Sequence, residues 1–115
     1  CLYAAQPFVQ KHADQVQALV HAMVHTLKWL QTAEPADIVK ALPAAYLAGD
    51  RALYLAAFYR MRETFSPNGV MPDDGPAVAL RTLTLAYPEL AGSKVDLART
   101  FSNDWVRKAR QKFNV

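Results

Sequence analysis

DQVQALVHAMVHTLKWLQ, residues 14–31, is the stretch from which the fold of this chain is read. Val16, Leu19, Val20, Met23, Leu27 and Leu30 recur at steps of three and four residues, which predicts one buried stripe on an amphipathic helix. Asp14, Gln17, His21, His25 and Lys28 fall together on the opposite face, expected to be solvated. Asp14 near the start and Lys28 near the end both suit the helix dipole.

Working outward, Thr32-Ala33-Glu34-Pro35 ends this helix and begins another. Pro35 fits a first helical position, where its missing N–H costs nothing, and Pro43 stops a short helix over 35–42. Asp50 is a good N-cap for a helix over 51–64. Leu53, Tyr54, Leu55, Phe58, Tyr59 and Met61, with three alanines, spread apolar character round nearly all of that helix, so it calls for neighbours on several sides. Pro67-Asn68-Gly69 is turn chemistry, because Asn and Gly tolerate a left-handed backbone. Asp74 is placed to cap a helix over 75–87, packing through Val78, Leu80, Leu83 and Tyr87 and ended by Pro88. After Ser102, an expected N-cap, a last helix carries Trp105, Val106, Ala109 and Phe113 on its apolar side.

Before all of these, Cys1-Leu2-Tyr3-Ala4-Ala5 reads as a short apolar strand. No initiator Met, signal peptide or polar lead-in precedes it, so the chain is expected to open inside a larger protein. The expected fold is mostly α: one short N-terminal strand, then five or six helices, forming a single helical unit over 1–115 that is itself a partial domain.

Composition excludes little. The 115 residues are 52% hydrophobic and 20% charged, an ordinary globular balance with enough length for one domain. No window approaches the run of about 18 apolar residues that a membrane span needs. A net charge of +3 is too small to imply a nucleic-acid partner by itself. One cysteine rules out an internal disulfide framework. Cys1 matches the lipidated residue with which processed bacterial lipoproteins begin, but it runs straight into Leu-Tyr-Ala-Ala instead of a polar tether, so a cleavage boundary is the favoured reading.

Chemistry-bearing residues are sparse. His21 and His25 stand four apart, the spacing at which two imidazoles share a metal, yet Ala22 occupies the position where a zinc protease needs Glu, and neither His12 nor Glu34 is placed as a third ligand. Asp73, Asp74 and Glu63 suggest paired carboxylates, but helix capping and a loop charge account for the aspartates. Gly49, Gly69, Gly75 and Gly92 are too scattered for a phosphate-binding loop, and no Ser sits in a nucleophile elbow. No catalytic residue, metal site or cofactor is expected, and the chain is read as non-enzymatic. Arg107, Lys108, Arg110 and Lys112 offer either a face for nucleic acid or anionic membrane, or a solvated helix whose cations favour its C-terminal dipole. The aromatics Trp29, Tyr46, Tyr54, Phe58, Tyr59 and Trp105 fit core positions or a pocket lining. Tyr3, on the strand-like segment, is the single candidate ligand-binding residue, able to offer a hydroxyl to a cleft.

The order of segments carries a resemblance. The short apolar strand leads into Gln6-Pro7-Phe8-Val9-Gln10-Lys11-His12, then Gln15-Val16-Gln17-Ala18-Leu19-Val20-His21-Ala22 and Leu27-Lys28-Trp29-Leu30. Ala36-Asp37-Ile38-Val39, Phe65-Ser66-Pro67-Asn68-Gly69 with Met71-Pro72, and Val95-Asp96-Leu97 with Phe101-Ser102-Asn103-Asp104-Trp105-Val106-Arg107-Lys108-Ala109 complete the set. Over essentially its whole length the chain resembles the C-terminal part of the substrate-binding proteins of ABC importers for nitrate, taurine, aliphatic sulfonates and thiamine-precursor pyrimidines. One departure is His12-Ala13, where family members often have Asn-Pro, making His12 a weaker cap. The resemblance implies a two-lobed α/β (type II) periplasmic binding protein that closes on a small molecule and delivers it to a membrane permease. Residues 1–115 correspond to the segment returning to the first lobe, with most of the sheet, the whole second lobe and most cleft residues elsewhere. Expected partners are therefore the missing lobes, a small-molecule ligand and the ABC permease of the parent, with a homodimer of the isolated piece as a further expectation and no nucleic acid. The implied location is periplasmic or exported, and membrane-associated if Cys1 is lipidated. The alternative is a self-contained all-α domain that binds nucleic acid or a partner helix through residues 103–113.

Overall fold

A computed structural model describes residues 1–47 and 49–115. It is built from six α-helices: α1 (Gln6–Lys11), α2 (Ala13–Thr32), α3 (Pro35–Ala41), α4 (Arg51–Met61), α5 (Gly75–Ala86) and α6 (Asp104–Phe113). Short 3₁₀ turns at Ala44–Leu47, Arg62–Thr64, Pro88–Leu90 and Leu97–Arg99 link or extend them. The chain is a small, mostly helical fold.

The expected strand over residues 1–5 does not form, and no strand exists among the described residues. Ala5 has extended backbone (φ −65°, ψ 140°), but a strand is held by ladder bonds to a neighbour and these residues have none. Instead the chain turns at once into α1, helped by Pro7 in its first turn. His12 then ends α1 and begins α2 with no side-chain capping bond, as its weak capping chemistry suggests. Phe8 packs on the His12 ring, with centroids 4.7 Å apart.

The punctuation marks work largely as read. Pro35 starts α3, where the Asp37 carboxylate accepts from the Glu34 N–H at 3.3 Å. The Asp50 carboxylate accepts from the Leu53 N–H at 2.9 Å and caps α4. α5 stops before Pro88. Two caps differ. Asp74 occupies the N-cap position of α5 but its side chain makes no capping bond. Asn103, not Ser102, is the N-cap residue of α6, while the Ser102 hydroxyl accepts from the Asp104 N–H at 3.2 Å.

α2 and α6 form the principal helix pair. Ala109 is 0% exposed and Val24 1%, so the two backbones approach closely at the centre of the seam. Polar side chains of α2 tie both ends of α6. Gln17 Nε2 donates to the Trp105 carbonyl at 3.0 Å, and Lys28 Nζ donates to the carbonyls of Phe113 at 2.7 Å and Asn114 at 3.4 Å. Since 17 meets 105 and 28 meets 113, the helices run in the same sense. Lys28 satisfies end carbonyls that the helix leaves orphaned, at the negative pole of its dipole. Asn114 adopts the left-handed conformation (φ 53°, ψ 63°) that closes α6.

This seam rotates the buried side of α2 away from the expected stripe. His21 and His25 do not simply face water: the Phe113 ring stacks on His25 (4.8 Å, 5° between planes) and meets His21 edge-on at 5.7 Å. The predicted stripe is split. Val16, Val20 and Leu27 are half-buried, but Leu19 is 54% exposed and Met23 is exposed as well. Val24, which the stripe omitted, is the most buried large side chain.

The 65–74 loop locks over the seam. Gly69 takes φ +73°, its N–H is received by the Ser66 hydroxyl at 2.9 Å, and Asn68 Oδ1 accepts from the Val70 N–H at 3.0 Å. A Cβ at Gly69 would lie 3.4 Å from Val24, 3.5 Å from Leu27 and 3.7 Å from Val106, so the turn sits on both helices. The Asn103 amide completes the fastening: it accepts from the Met71 N–H at 2.9 Å and donates to the Met71 carbonyl at 3.0 Å.

Away from the seam the packing is sparse. Neither α4 nor α5 has a buried residue. The radius of gyration is 17.3 Å, against about 13 Å for a compact domain of this length. The accessible surface is 8881 Å², against roughly 6,300 Å² for a compact monomer of this mass.

Candidate functional site

The predicted site residues do not converge. Tyr3 is 94% exposed on the irregular segment before α1. His21 and His25 share a face but are occupied by Phe113, and no group of three His, Cys, Asp or Glu suited to a metal occurs among the described residues. Glu63, Asp73 and Asp74 are exposed and share no hydrogen bond among the described residues. Cys1 is an exposed free thiol.

The cations of α6 are each engaged within the chain. Arg107 pairs with Asp104 at 2.8 Å. Lys108 lies 5.6 Å from the Trp105 ring and Lys112 lies 5.7 Å from Phe113, both in cation–π range. Arg110 Nε donates to the Val115 carbonyl at 3.1 Å.

What the fold assembles instead is apolar. Trp29 and Leu30 from the end of α2, Ile38 and Leu42 at α3, and Tyr54 and Phe58 from α4 line a half-open cleft of about 170 Å³, closed on one side by Phe65. Arg62 holds one wall. Its guanidinium donates to the Ala33 carbonyl and lies 4.8 Å from the Tyr59 ring and 5.3 Å from Phe58, so the end of α4 is tied to the α2–α3 turn. Arg62 Nε is buried without a hydrogen-bond partner. Also between α3 and α4, Pro35, Val39 and Leu55 line a more open depression together with Lys40 and Arg51. Such a surface holds nonpolar groups by area and shape, and its ionisable side chains are Tyr54 in the cleft and Lys40 and Arg51 in the depression. Sequence reading named Trp29, Tyr54 and Phe58 as core or pocket residues but not Ile38, Leu42 or Phe65. The available signal was the apolar circumference of α4, which demands contacts without saying which.

No family model matches this chain, and no curated protein matches it significantly. A solved structure does. A protein from Bordetella bronchiseptica RB50 superimposes with a TM-score of 0.94 at 43% sequence identity, covering 100% of this chain and 36% of its own. The chain thus spans little more than a third of that structure's length. No helix of the described residues is long and apolar enough to cross a membrane.

Proposed function

We propose that this chain is the helical C-terminal part of a substrate-binding protein of the nitrate, taurine, aliphatic sulfonate and thiamine-pyrimidine importer type. In the intact, exported protein it would serve capture of a sulfonate, nitrate, pyrimidine or similar small molecule and its delivery to an ABC permease, without catalysis. One observation carries the proposal: an accessible surface of 8881 Å², well above the roughly 6,300 Å² of a compact monomer of this mass, with many large apolar side chains exposed on it. α4 and α5 bury nothing fully, and Leu53, Met61, Val78, Leu83 and Leu85 are exposed on them. A larger body laid against these helices accounts for that surface. The ordered sequence motifs supply the kind of body, a two-lobed α/β protein. The match to just over a third of a longer solved chain fits a piece of this kind. Residues 1–5 make no ladder bonds and Ala5 is extended, so the segment is free to join a sheet contributed by the missing lobes, with Tyr3 then at its edge.

The rival is an all-α domain using residues 103–113 on nucleic acid, and Arg107, Lys108 and Lys112 are exposed on α6, with only surface contacts to Asp104, Trp105 and Phe113 holding them.

The test is calorimetric titration of the full-length parent and of this 115-residue chain with taurine, an alkanesulfonate, nitrate and an aminopyrimidine. The expected result is binding of one of them by the parent and of none by the piece. A parent that binds none of these, together with a piece that shifts DNA in a salt-dependent manner, would overturn the proposal in favour of its rival.

A further inference from the structure

We propose that Asn68–Gly69 is a site of spontaneous deamidation, with the Ser66 hydroxyl as the guard that sets its rate. Asn68 is followed by glycine, whereas Asn103 and Asn114 precede Asp104 and Val115. Glycine matters because it puts no side chain beside the main-chain nitrogen that must reach the asparagine carboxamide. The turn holds both reacting groups. Asn68 Oδ1 accepts from the Val70 N–H at 3.0 Å, which folds the carboxamide back along its own main chain. The same N–H stands where negative charge develops on Oδ1 when Cγ is attacked, the place of an oxyanion donor. The nucleophile is restrained instead: the Gly69 N–H donates to the Ser66 hydroxyl at 2.9 Å. Ser66 is exposed and Asn68 half-buried, so water and hydroxide reach the turn.

The reaction needs only solvent. Hydroxide removes the Gly69 amide proton, the nitrogen forms a bond to Asn68 Cγ, and the Cγ–Nδ2 bond breaks. Nδ2 leaves as ammonia, taking its extra proton from water. The cyclic imide then adds water, which breaks one of its two carbonyl–nitrogen bonds. Opening at Cγ gives aspartate, and opening at the main-chain carbonyl gives iso-aspartate, with the chain running through the side chain. Either way a neutral carboxamide and water become a carboxylic acid, ionised at neutral pH, and ammonia, with no change of oxidation state. The iso-aspartyl product lengthens the main chain by a methylene at a turn that already touches both helices. A Cβ at Gly69 would lie 3.4 Å from Val24 and 3.7 Å from Val106, so the modified turn no longer seats on α2 and α6.

The test is ageing of the full-length protein at mildly alkaline pH, folded and in urea, followed by peptide mass spectrometry. Trypsin releases residues 63–81, which hold no other Asn or Gln, so ammonia loss there reports Asn68 alone. Hydrogen exchange at the Gly69 amide is read alongside, because loss of the same proton starts both processes. Wild type is expected to deamidate at Asn68 when folded, more slowly than in urea. Ser66→Ala should quicken both deamidation and Gly69 exchange roughly fivefold, the factor that one such bond carries. Ser66→Thr, which keeps the hydroxyl, should stay near wild type. Asn103→Ala frees Met71 without touching the Ser66 bond and should quicken Gly69 much less. In urea, wild type and Ser66→Ala should react alike. No product at Asn68 in the folded protein, while the urea sample reacts, would overturn the site. Equal folded rates for wild type and Ser66→Ala, or an Asn103→Ala acceleration as large as that of Ser66→Ala, would overturn the guard. A Ser66→Ala advantage that persists in urea would overturn it too.

Discussion

Replacing Asn103 by Ala should destabilise the chain out of proportion to the size of the change. Asn103 presents one donor and one acceptor in a single plane, and these match the N–H and C=O of Met71 at 2.9 and 3.0 Å. Each such bond contributes about 1 kcal/mol net, and truncation leaves both half-buried backbone groups of Met71 without a partner. A loss of about 2–3 kcal/mol is expected, a large part of the 5–15 kcal/mol that holds a typical domain together. Asn103→Asp separates the halves. Its carboxylate still accepts from the Met71 N–H and suits the N-terminus of α6, but it sets oxygen against the Met71 carbonyl, so the cost should fall between wild type and Asn103→Ala. Urea unfolding followed by the fluorescence of Trp29 and Trp105, at one fixed protein concentration, reads these differences. Hydrogen exchange at the Met71 amide should quicken in Asn103→Ala and much less in Asn103→Asp. An Asn103→Ala protein within about 0.5 kcal/mol of wild type, with Met71 exchange unchanged, would refute the clip as a source of stability.

Three further outcomes follow from the seam. Gly69→Ala has room for its methyl, 3.4 Å from Val24, but must hold φ +73°, so it should cost about 1–2 kcal/mol and lower the melting temperature measurably; an unchanged melt would show that the turn relaxes freely. Val24→Ala should cost about 2 kcal/mol while Leu19→Ala costs less than about 0.5 kcal/mol, although sequence periodicity ranks Leu19 as core; chemical denaturation giving the reverse order would refute the sidedness of α2. Lys28→Met keeps the apolar stem and removes the bonds to the Phe113 and Asn114 carbonyls, and should cost about 1 kcal/mol with faster amide exchange confined to the end of α6.

Much of the helical skeleton was legible in the sequence because caps and breakers act locally. Asp50, Pro35 and Pro88 need only their near neighbours to do their work, and each does it. Sidedness was not legible. A 3.6-residue period finds the most apolar face of α2, but α6 docks about a quarter-turn away, where Ala109 permits close approach and Gln17 and Lys28 can reach the carbonyls at the ends of α6. Histidines there behave as flat partners for Phe113, a role that no spacing rule announces. The Asn103–Met71 clip was invisible for the same reason, since it joins positions 32 apart. The strand over residues 1–5 is the converse case: its composition suits a strand, but pairing depends on a neighbour that composition does not supply. The cleft was half legible, in that α4 demanded neighbours and received them on one side only.

The bonds from Gln17 to Trp105 and from Lys28 to Phe113 join residues 88 and 85 positions apart. A growing polypeptide therefore cannot zip its best-packed joint until almost the last codon of this segment has been read and α6 has cleared the ribosome. Until then α2 travels with both its histidine side and its leucine side bare, a natural client for holdase chaperones. Slow codons placed just ahead of residue 104 would lengthen that vulnerable interval, and inclusion bodies would be its visible trace.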